Sequence, residues 1–287
     1  MAQNSNILTD AVGNTFAPAD AAAGTNVRIA SFVPSITELL IDLGLTDQLV
    51  ARTQICIHPA GTVERIPAIG GTKKVSLPKL KALRPTHAIL NVDENTREMA
   101  SALQEFVPNV VVTHPLEPDD NLDLFALMGG LFGVADKADE IAGYYRAASA
   151  AVSNLPVRPP LKVLYFIWND PWMTVSRDTY ISAMLRRIGW HTTHHDPDTR
   201  YPVVNITPEV IDATDLFLFS TEPYAFTQAD IDAFSVRYGC PIEKMLLIDG
   251  EYCSWYGSRA VAGLHYLHGL AGNISSARHP KAPGRAV

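Results

Sequence analysis

The chain has 287 residues, of which 47 % are apolar and 18 % are charged, and its formal net charge is -7. This composition is that of a globular protein with enough apolar material for one large domain or two lobes. Negative charge of this size repels phosphate backbones, so nucleic acid is not expected as a partner. No run of about 18 consecutive apolar residues occurs, so the sequence predicts no membrane span.

The start of the chain lacks the pattern of a secretory signal. Residues 1–26 contain no Lys or Arg and no apolar run of signal-peptide length. We therefore expect a cytoplasmic protein as the sequence is written, or a periplasmic one if a signal was removed before this numbering begins. The cysteines Cys56, Cys240 and Cys253 show no paired spacing and are predicted to be free thiols.

In the first half of the chain, short apolar segments that predict strands alternate with amphipathic segments that predict helices. Ser35 is predicted to cap the first helix, with Glu38 as its capping-box partner. Strands that alternate with helices indicate parallel βαβ units. The predicted elements, in chain order, are a strand over 27–32, a helix over 34–43, a strand over 87–92, a helix over 95–106, a strand over 109–113 and a helix over 121–132.

A long helical segment then separates the two halves. Apolar side chains recur at helical spacing over 136–154, and prolines end the pattern. We therefore expect an N-terminal lobe over 1–135, a backbone helix over 136–155 and a C-terminal lobe over 156–287. Because the chain crosses between the lobes only once, a ligand cleft is expected between them.

The alternation of strands and helices restarts after the prolines. The predicted fold is therefore an α/β protein of two βα lobes with parallel sheets, joined by one long backbone helix. The predicted elements of the second half are a strand over 163–168, helices over 179–188 and 208–213, a strand over 216–220, a helix over 229–238, a strand over 245–248 and a helix over 258–271.

Aromatic residues are concentrated in loops of the second half, several of which follow predicted strands. Ligands bind at the carboxyl ends of strands in open α/β sheets, and aromatic faces suit a flat, partly apolar ligand. For any single ring, an equally good interpretation is that it anchors its loop to the core. For the group as a whole a pocket is favoured. The loops contain Trp168, Trp172, Tyr201, Tyr224, Tyr252 and Trp255.

Histidines and cysteines raise the question of a metal site. Cys56 and His58 are predicted on one side of an extended segment, and His191, His194 and His195 form the densest group of donors. Neither spacing matches an HExxH or a paired CxxC pattern. A solvated loop with one histidine facing a ligand is therefore favoured over a bare metal site.

Catalytic motifs are absent from the sequence. There is no GxSxG, no GxxxxGK[ST] and no GxGxxG after a strand. The GGTKK segment at 70–74 lacks the spacing of a phosphate loop and is predicted to be a glycine turn. We therefore expect no enzyme activity and no covalently bound cofactor.

Several segments, in this order, resemble the class III periplasmic binding proteins, the superfamily of cobalamin, haem and ferric-siderophore receptors. Residues 10–15 resemble its opening DxxGxxV, residues 28–44 resemble RIVSLxPSxTELLxxLG, and residues 80–86 resemble IxALKPD. The WNDPWMT and SWYGSR segments are most similar to the cobalamin-binding branch, the helical-backbone metal receptors. The resemblance extends over residues 9–272.

The resemblance implies a rigid two-lobe receptor whose pocket positions can be carried over to this chain. A pocket tryptophan of the cobalamin receptor falls near Thr72, where this chain has no ring, and His58 replaces a pocket tyrosine. Neutral imidazole is a good donor to cobalt or iron, so His58, His194 and His195 are the candidate metal donors, His58 first. With Trp255 added from the aromatic loops, the candidate ligand-binding residues are Pro34, Ser35, His58, Thr72, Trp172, Tyr201, Glu251, Tyr252 and Trp255.

The same resemblance implies a permease partner. Receptors of this superfamily dock on an ABC permease through one glutamate on each lobe. Glu209 matches the glutamate of the second lobe, whereas Pro78 occupies the position of the first. An importer component and a soluble carrier on the same scaffold therefore both remain open.

The sequence as a whole predicts a monomeric, non-enzymatic protein that binds a metal chelate, a corrinoid first, in the cleft between its lobes. One alternative is a receptor for a ferric siderophore, haem or a bare metal ion. Another is a tetrapyrrole-modifying enzyme on the same scaffold.

Overall fold

The computed structural model describes residues 7–19 and 27–278, with side chains as far as residue 272. The chain divides into two compact units. Unit 1 consists of residues up to Pro115 together with Asp119–Tyr145 and Tyr256–Arg259, and unit 2 consists of Leu116–Pro118, Arg146–Trp255 and residues from Ala260 onward.

Unit 1 is built on a parallel sheet. Its described strands are β1 (Leu8–Thr9), β2 (Thr15–Phe16), β3 (Ile29–Ser31), β4 (Leu49–Arg52), β5 (His87–Asn91) and β6 (Asn109–Thr113), and its helices are α1 (Pro34–Asp42), α2 (Leu77–Leu83), α3 (Arg97–Gln104) and α4 (Asp120–Phe132). The sheet has the order β4-β3-β5-β6 with every pair parallel, and β1 and β2 form a separate antiparallel pair. All residues of β3 and β5 are buried, as expected for central strands covered on both faces.

Unit 2 contains a second, mainly parallel sheet. Its strands are β7 (Leu161–Asn169), β8 (Trp172–Thr174), β9 (Trp190–Thr192), β10 (Leu216–Ser220) and β11 (Met245–Ile248), and its helices are α6 (Tyr180–Arg186), α7 (Pro208–Ala213), α8 (Gln228–Tyr238), α9 (Gly250–Ser254) and α10 (Arg259–Arg278). The order is β11-β10-β7-β8. The long strand β7 pairs with β9 in parallel at its start and with β8 in antiparallel at its end. The predicted α/β class with parallel sheets in both halves is confirmed, and β8 is an antiparallel addition.

A helix designated α5 (Ala135–Ser153) is continuous, close to the predicted range. It belongs to unit 1 as far as Tyr145 and to unit 2 from Arg146. The apolar positions that predicted this helix are all buried, which explains the spacing: Ala138, Ile141, Ala142, Tyr145, Ala148 and Val152. The lobe boundaries expected from the sequence stay a prediction.

Helix α1 begins differently from the prediction. Val33 occupies the N-cap position without a side-chain hydrogen bond, and Pro34 lies in the first turn, where its missing N–H costs nothing. The predicted capping box of Ser35 and Glu38 is wrong. The Glu38 carboxylate instead accepts two hydrogen bonds of 2.6 Å from the guanidinium of Arg259, which is 221 residues away in the sequence. Capping rules consider only residues within one helical turn, so they cannot predict a partner this far away in the sequence.

The Glu38–Arg259 ion pair should be important for stability. Both side chains are only 13 % exposed, so removing one charge takes the directly hydrogen-bonded counter-ion away from a partner that is shielded from water. We expect Glu38→Gln to lower the free energy of unfolding by about 3 kcal/mol, measured by urea denaturation, and the double variant Glu38→Leu/Arg259→Met to recover most of the loss. The control is Glu140→Gln, in an exposed pair with Lys137, which should change stability little. Equal losses of stability in Glu38→Gln and Glu140→Gln would show that the Glu38–Arg259 ion pair is not important for stability.

His87 should make the protein sensitive to acid. Its side chain is 6 % exposed, contacts Phe132 edge-on at 5.1 Å between ring centroids, and is held in the neutral form because burial lowers its pKa to about 4. In the unfolded chain a histidine takes up a proton near pH 6.5. The folded state is therefore fully stable, as far as His87 is concerned, above about pH 6.5, and loses stability as the pH falls from there towards 4.

The measurement is the free energy of unfolding at pH 7.5 and pH 4.5 for the wild type and for His87→Gln. The wild type should lose about 2–3 kcal/mol more than the variant over this interval. An identical loss in both proteins would remove His87 as the cause.

Candidate functional site

The loop after β3 brings Pro34 and Ser35 to the carboxyl end of the unit 1 sheet. Both residues are buried in the first turn of α1, and the backbone N–H of Phe32 just before them donates to the Ile89 carbonyl of β5 at 3.0 Å. Pro34 and Ser35 therefore lie at the edge of the sheet where ligands of open α/β folds bind. Their contribution to binding stays a prediction.

The loop after β4 is held by one arginine and exposes apolar side chains. The Arg52 guanidinium donates to the carbonyls of Val63 at 2.8 Å and of Cys56 at 3.2 Å, which fixes both ends of the loop. On either side of the Cys56 anchor, Ile55 is 48 % and Ile57 is 53 % exposed. Two isoleucines are thus presented to solvent on a loop that is rigidly attached to the sheet.

Cys56 and His58, in the same loop, have different environments. Cys56 is fully buried, and its sulfur lies 3.1 Å from the Thr37 hydroxyl and 3.0 Å from the Thr53 hydroxyl. Burial raises the pKa of the Cys56 thiol, which favours the protonated form. His58 is partly exposed and precedes a cis proline. Cys56 is therefore buried and protonated, whereas His58 is accessible from solvent, and metal binding by His58 stays a prediction.

Thr72 lies in a glycine turn, as the sequence indicates. Gly70 has φ +136°, and a Cβ there would come within 2.5 Å of the Lys74 carbonyl, so only glycine fits. The Asn95 amide, in the loop after β5, donates to the Thr72 carbonyl at 2.8 Å. Thr72 is thereby attached to the carboxyl end of β5 through its backbone, and its side chain is partly exposed.

A tyrosine from late in the chain completes this end of unit 1. The Tyr256 hydroxyl is buried and donates to Glu94 Oε1 at 3.0 Å, and the N–H of Gly257 donates to Asn121 Oδ1 at 2.6 Å. Burial, and after it the Glu94 carboxylate, raises the pKa of Tyr256, so this hydroxyl stays a hydrogen-bond donor. Tyr256 lies in one of the aromatic loops that favour a pocket in the sequence, but neither Glu94 nor Tyr256 is among the candidate ligand-binding residues. The sequence pattern that could have pointed to Glu94 is an acidic residue shortly after β5, a strand whose residues are all buried.

Trp168 is the most exposed ring at the carboxyl end of the unit 2 sheet. It is 42 % exposed, and its Nε1 donates to the Asp170 carbonyl at 3.2 Å. Tyr224, from the loop after β10, packs edge-on against it with ring centroids 5.5 Å apart, and its hydroxyl accepts from Asn169 Nδ2 at 3.1 Å. These contacts hold the Trp168 ring in place without covering it.

Trp172 and Trp255 are more deeply embedded in unit 2 than the sequence suggested. Trp172 stacks on Phe226 with centroids 5.9 Å apart, and its Nε1 donates to the Tyr238 hydroxyl at 2.9 Å. Trp255 is 6 % exposed, and its Nε1 donates to Glu222 Oε2 at 2.9 Å. Both rings thus pack and hydrogen-bond within the unit, and their contact with a ligand stays a prediction.

The remaining candidates of unit 2 are partly exposed. Tyr252 packs against Tyr266 with centroids 5.2 Å apart, and Glu251 lies beside it in the first turn of α9, which Asp249 caps. Tyr201 lies in the loop that follows β9. Contact of Tyr201, Glu251 and Tyr252 with a ligand stays a prediction.

The candidate metal donors belong to different units. His58 lies in unit 1, whereas His194 and His195 lie in the loop after β9 in unit 2. Within residues 7–19 and 27–278, no three His, Cys, Asp or Glu side chains come close enough together to hold a metal ion. Over the same residues, no helix is both long and apolar enough to cross a membrane.

The candidate docking positions both lie at the start of helices on the surface. Glu209 is exposed in the first turn of α7, where hydrogen bonds from the Thr207 side chain and from its own backbone N–H lower the pKa of the carboxyl. Pro78 is exposed in the first turn of α2. Glu209 is therefore an exposed carboxylate that is ionised at neutral pH, and docking through it stays a prediction.

Comparison with known proteins gives one family and a set of similar structures. The family described as Periplasmic binding protein matches residues 29–206. The periplasmic haem-binding protein RhuT from Roseiflexus sp. RS-1 has a TM-score of 0.73 and 19 % identity, covering 87 % of this chain and 99 % of its own. No curated protein sequence matches the chain.

Two proteins of Vibrio cholerae are similar to the same extent. The periplasmic vitamin B12 binding protein BtuF has a TM-score of 0.71 and 16 % identity, covering 86 % of this chain and 97 % of its own. The periplasmic haem-binding protein HutB has a TM-score of 0.71 and 19 % identity, covering 86 % and 99 %. At these identities the similarity shows the fold.

The different embedding of the two tryptophans can be tested by stability. Trp172→Ala removes a partly buried ring that packs against the core of unit 2, together with the hydrogen bond to Tyr238, so it should lower the free energy of unfolding by about 3 kcal/mol. Trp168→Ala removes a largely exposed ring and should cost clearly less, in the same urea titration. Equal losses for the two variants would contradict the difference in packing between the two rings.

Proposed function

This chain belongs to the periplasmic binding protein family, and we propose that it binds a metal chelate of tetrapyrrole size, a corrinoid first, without changing it chemically. The similar structures support the ligand class, since RhuT and HutB are haem-binding proteins and BtuF binds vitamin B12. The pattern of exposed apolar side chains at the strand ends carries the proposal.

Large apolar side chains are exposed at the carboxyl ends of strands in each unit. In unit 1 these are Ile55 and Ile57 after β4 and Val92 directly after β5. The Val92 side chain is 41 % exposed. In unit 2 the corresponding residue is Trp168 at the end of β7. Exposed apolar groups on otherwise well-packed loops mark binding surfaces, and a broad, flat, partly apolar ligand fits them better than a small polar solute.

His58 is the proposed donor to the metal of the ligand. It lies next to Ile57 on the loop anchored by Arg52, and neutral imidazole binds cobalt and iron well. A metal centre that already carries its macrocycle needs only one such donor from a protein. The proposal therefore does not require a cluster of protein ligands.

The decisive experiment is a titration followed by visible absorption, using cyanocobalamin, haemin and a ferric hydroxamate siderophore as probes. We expect saturable one-to-one spectral change with a macrocyclic chelate, cyanocobalamin first. Trp168→Ala and Ile57→Ala should each weaken this binding by about 1–3 kcal/mol, equivalent to about 5- to 160-fold in Kd. His58→Gln should alter the spectrum of the bound chelate as well as its affinity.

Val236→Ala is the matched control, because Val236 is 87 % exposed on α8, away from the strand ends. It should leave affinity unchanged. Failure of all three probes to bind, or equal weakening by the control, would overturn the proposal. Binding of the siderophore alone would favour the ferric-siderophore alternative, and binding of haemin alone the haem alternative. Uptake of free iron or cobalt ions would favour a bare-ion receptor.

The absence of catalysis is part of the proposal. The rival function is a tetrapyrrole-modifying enzyme on the same scaffold. Prolonged incubation with cyanocobalamin and haemin, followed by chromatography of the extracted ligand, should return each compound unchanged. A protein-dependent product would establish the rival function instead.

We also propose that the protein works with an ABC permease, through Glu209. The family is described as periplasmic, which favours the second of the two locations expected from the sequence. Pro78 leaves the corresponding position of unit 1 without a carboxylate, so docking would depend on Glu209 more strongly than in a receptor with two glutamates.

A further inference from the structure

Unit 2 contains a cavity of about 540 Å³ at the amino-terminal ends of β7 and β9, beside α6. Neither the family nor the proposed chelate site accounts for it. Lys162, Arg177, Arg186 and His191 line it, and we refer to it as the cationic cavity.

The strand register and the helix spacing explain why these side chains converge. Lys162 of β7 and His191 of β9 are register partners in the parallel ladder, so they lie side by side. Ser182 and Arg186 are one turn apart on α6 and share a face of the helix. The hydroxyls of Ser182 and Thr192 are 2.7 Å apart, which holds this face of α6 against β9.

Arg177 closes the cavity from the loop before α6. Its guanidinium donates to the carbonyls of Thr192 and Thr193, each at 3.4 Å. Bonds this long hold the guanidinium loosely, so it can turn one edge towards a ligand. Lys162 is exposed and long enough to follow the same ligand.

The charge of the cavity is the reverse of that of the protein, whose net charge is -7. No Asp or Glu is among the residues that line it. Glu117 accepts two 2.7 Å hydrogen bonds from Arg186, and the Asp215 carboxylate accepts one from the backbone N–H of Lys162. The charges of Lys162 and Arg177 remain to attract an anion.

We propose that the cationic cavity binds a small phosphate-bearing anion. Phosphate oxygens accept hydrogen bonds from an arginine fork and a lysine ammonium, which are the donors that Arg177 and Lys162 provide. The volume exceeds that of inorganic phosphate and leaves room for a second phosphate or a small organic group.

This site is separate from the proposed chelate site. Lys162 and Trp168 lie six residues apart on β7, which corresponds to about 20 Å along an extended strand. One bound molecule of metal-chelate size does not reach both ends. Anion binding in the cationic cavity should therefore be independent of changes at Trp168.

The test is isothermal titration calorimetry of the full chain with pyrophosphate, AMP and inorganic phosphate at constant ionic strength. We expect one-to-one binding of pyrophosphate or AMP. Arg177→Gln should weaken it by about tenfold or more, because a charge-assisted hydrogen-bonding group is lost. Lys162→Gln, a change at an exposed side chain that should leave folding intact, should weaken it as well.

Lys137→Gln and Trp168→Ala are the controls and should bind the anion as the wild type does. Lys137 is an exposed lysine on α5, outside the cavity. No binding by any of the three anions, or equal weakening by Lys137→Gln, would overturn the proposal. Flotation with phosphatidic acid vesicles distinguishes a lipid headgroup as the source of the phosphate, and vesicle binding without binding of the free anions would likewise overturn it.

Discussion

Burial of the central strands on both faces is the constraint on which the rest of this structure depends. Because β3, β5 and β10 are buried along their whole length, polar and ligand-binding groups are confined to the ends of the strands and to the loops that follow them. At the carboxyl end of the unit 1 sheet, Arg52 and Asn95 hold these loops through backbone carbonyls. The loops are therefore rigid although they lie outside the sheet.

In unit 2 this constraint leaves one tryptophan partly buried and another exposed, although the two are close together in the sequence. Trp172 and Trp168 belong to the same hairpin of β7 and β8, yet Trp172 is partly buried against the core and Trp168 stays on the surface. Alternation along a strand sends neighbouring side chains to opposite faces. Trp168 is the ring that stays exposed, and it is therefore the one proposed to contact a ligand.

The two ends of β7 have opposite chemical character. Its carboxyl end presents the exposed indole of Trp168, whereas its amino end presents Lys162 beside His191 and Arg177. A single strand thus separates an apolar surface suited to a flat chelate from a cationic cavity suited to an oxyanion. This separation gives one unit room for two ligands of different chemistry without direct competition.

The amino-acid sequence by itself determined the α/β class, the order of the longer strands and helices, and the long helix α5, because these follow from the local spacing of apolar residues. It also showed that 70–74 is a glycine turn. Short strands such as β4, β8 and β9 could not be predicted from the sequence, since three or four residues carry too little periodicity. Only the tertiary structure decided the exposure of Trp168, the burial of Cys56 and Trp255, and the pairing of Glu38 with Arg259. Each of these depends on a partner distant in sequence, which local patterns do not encode.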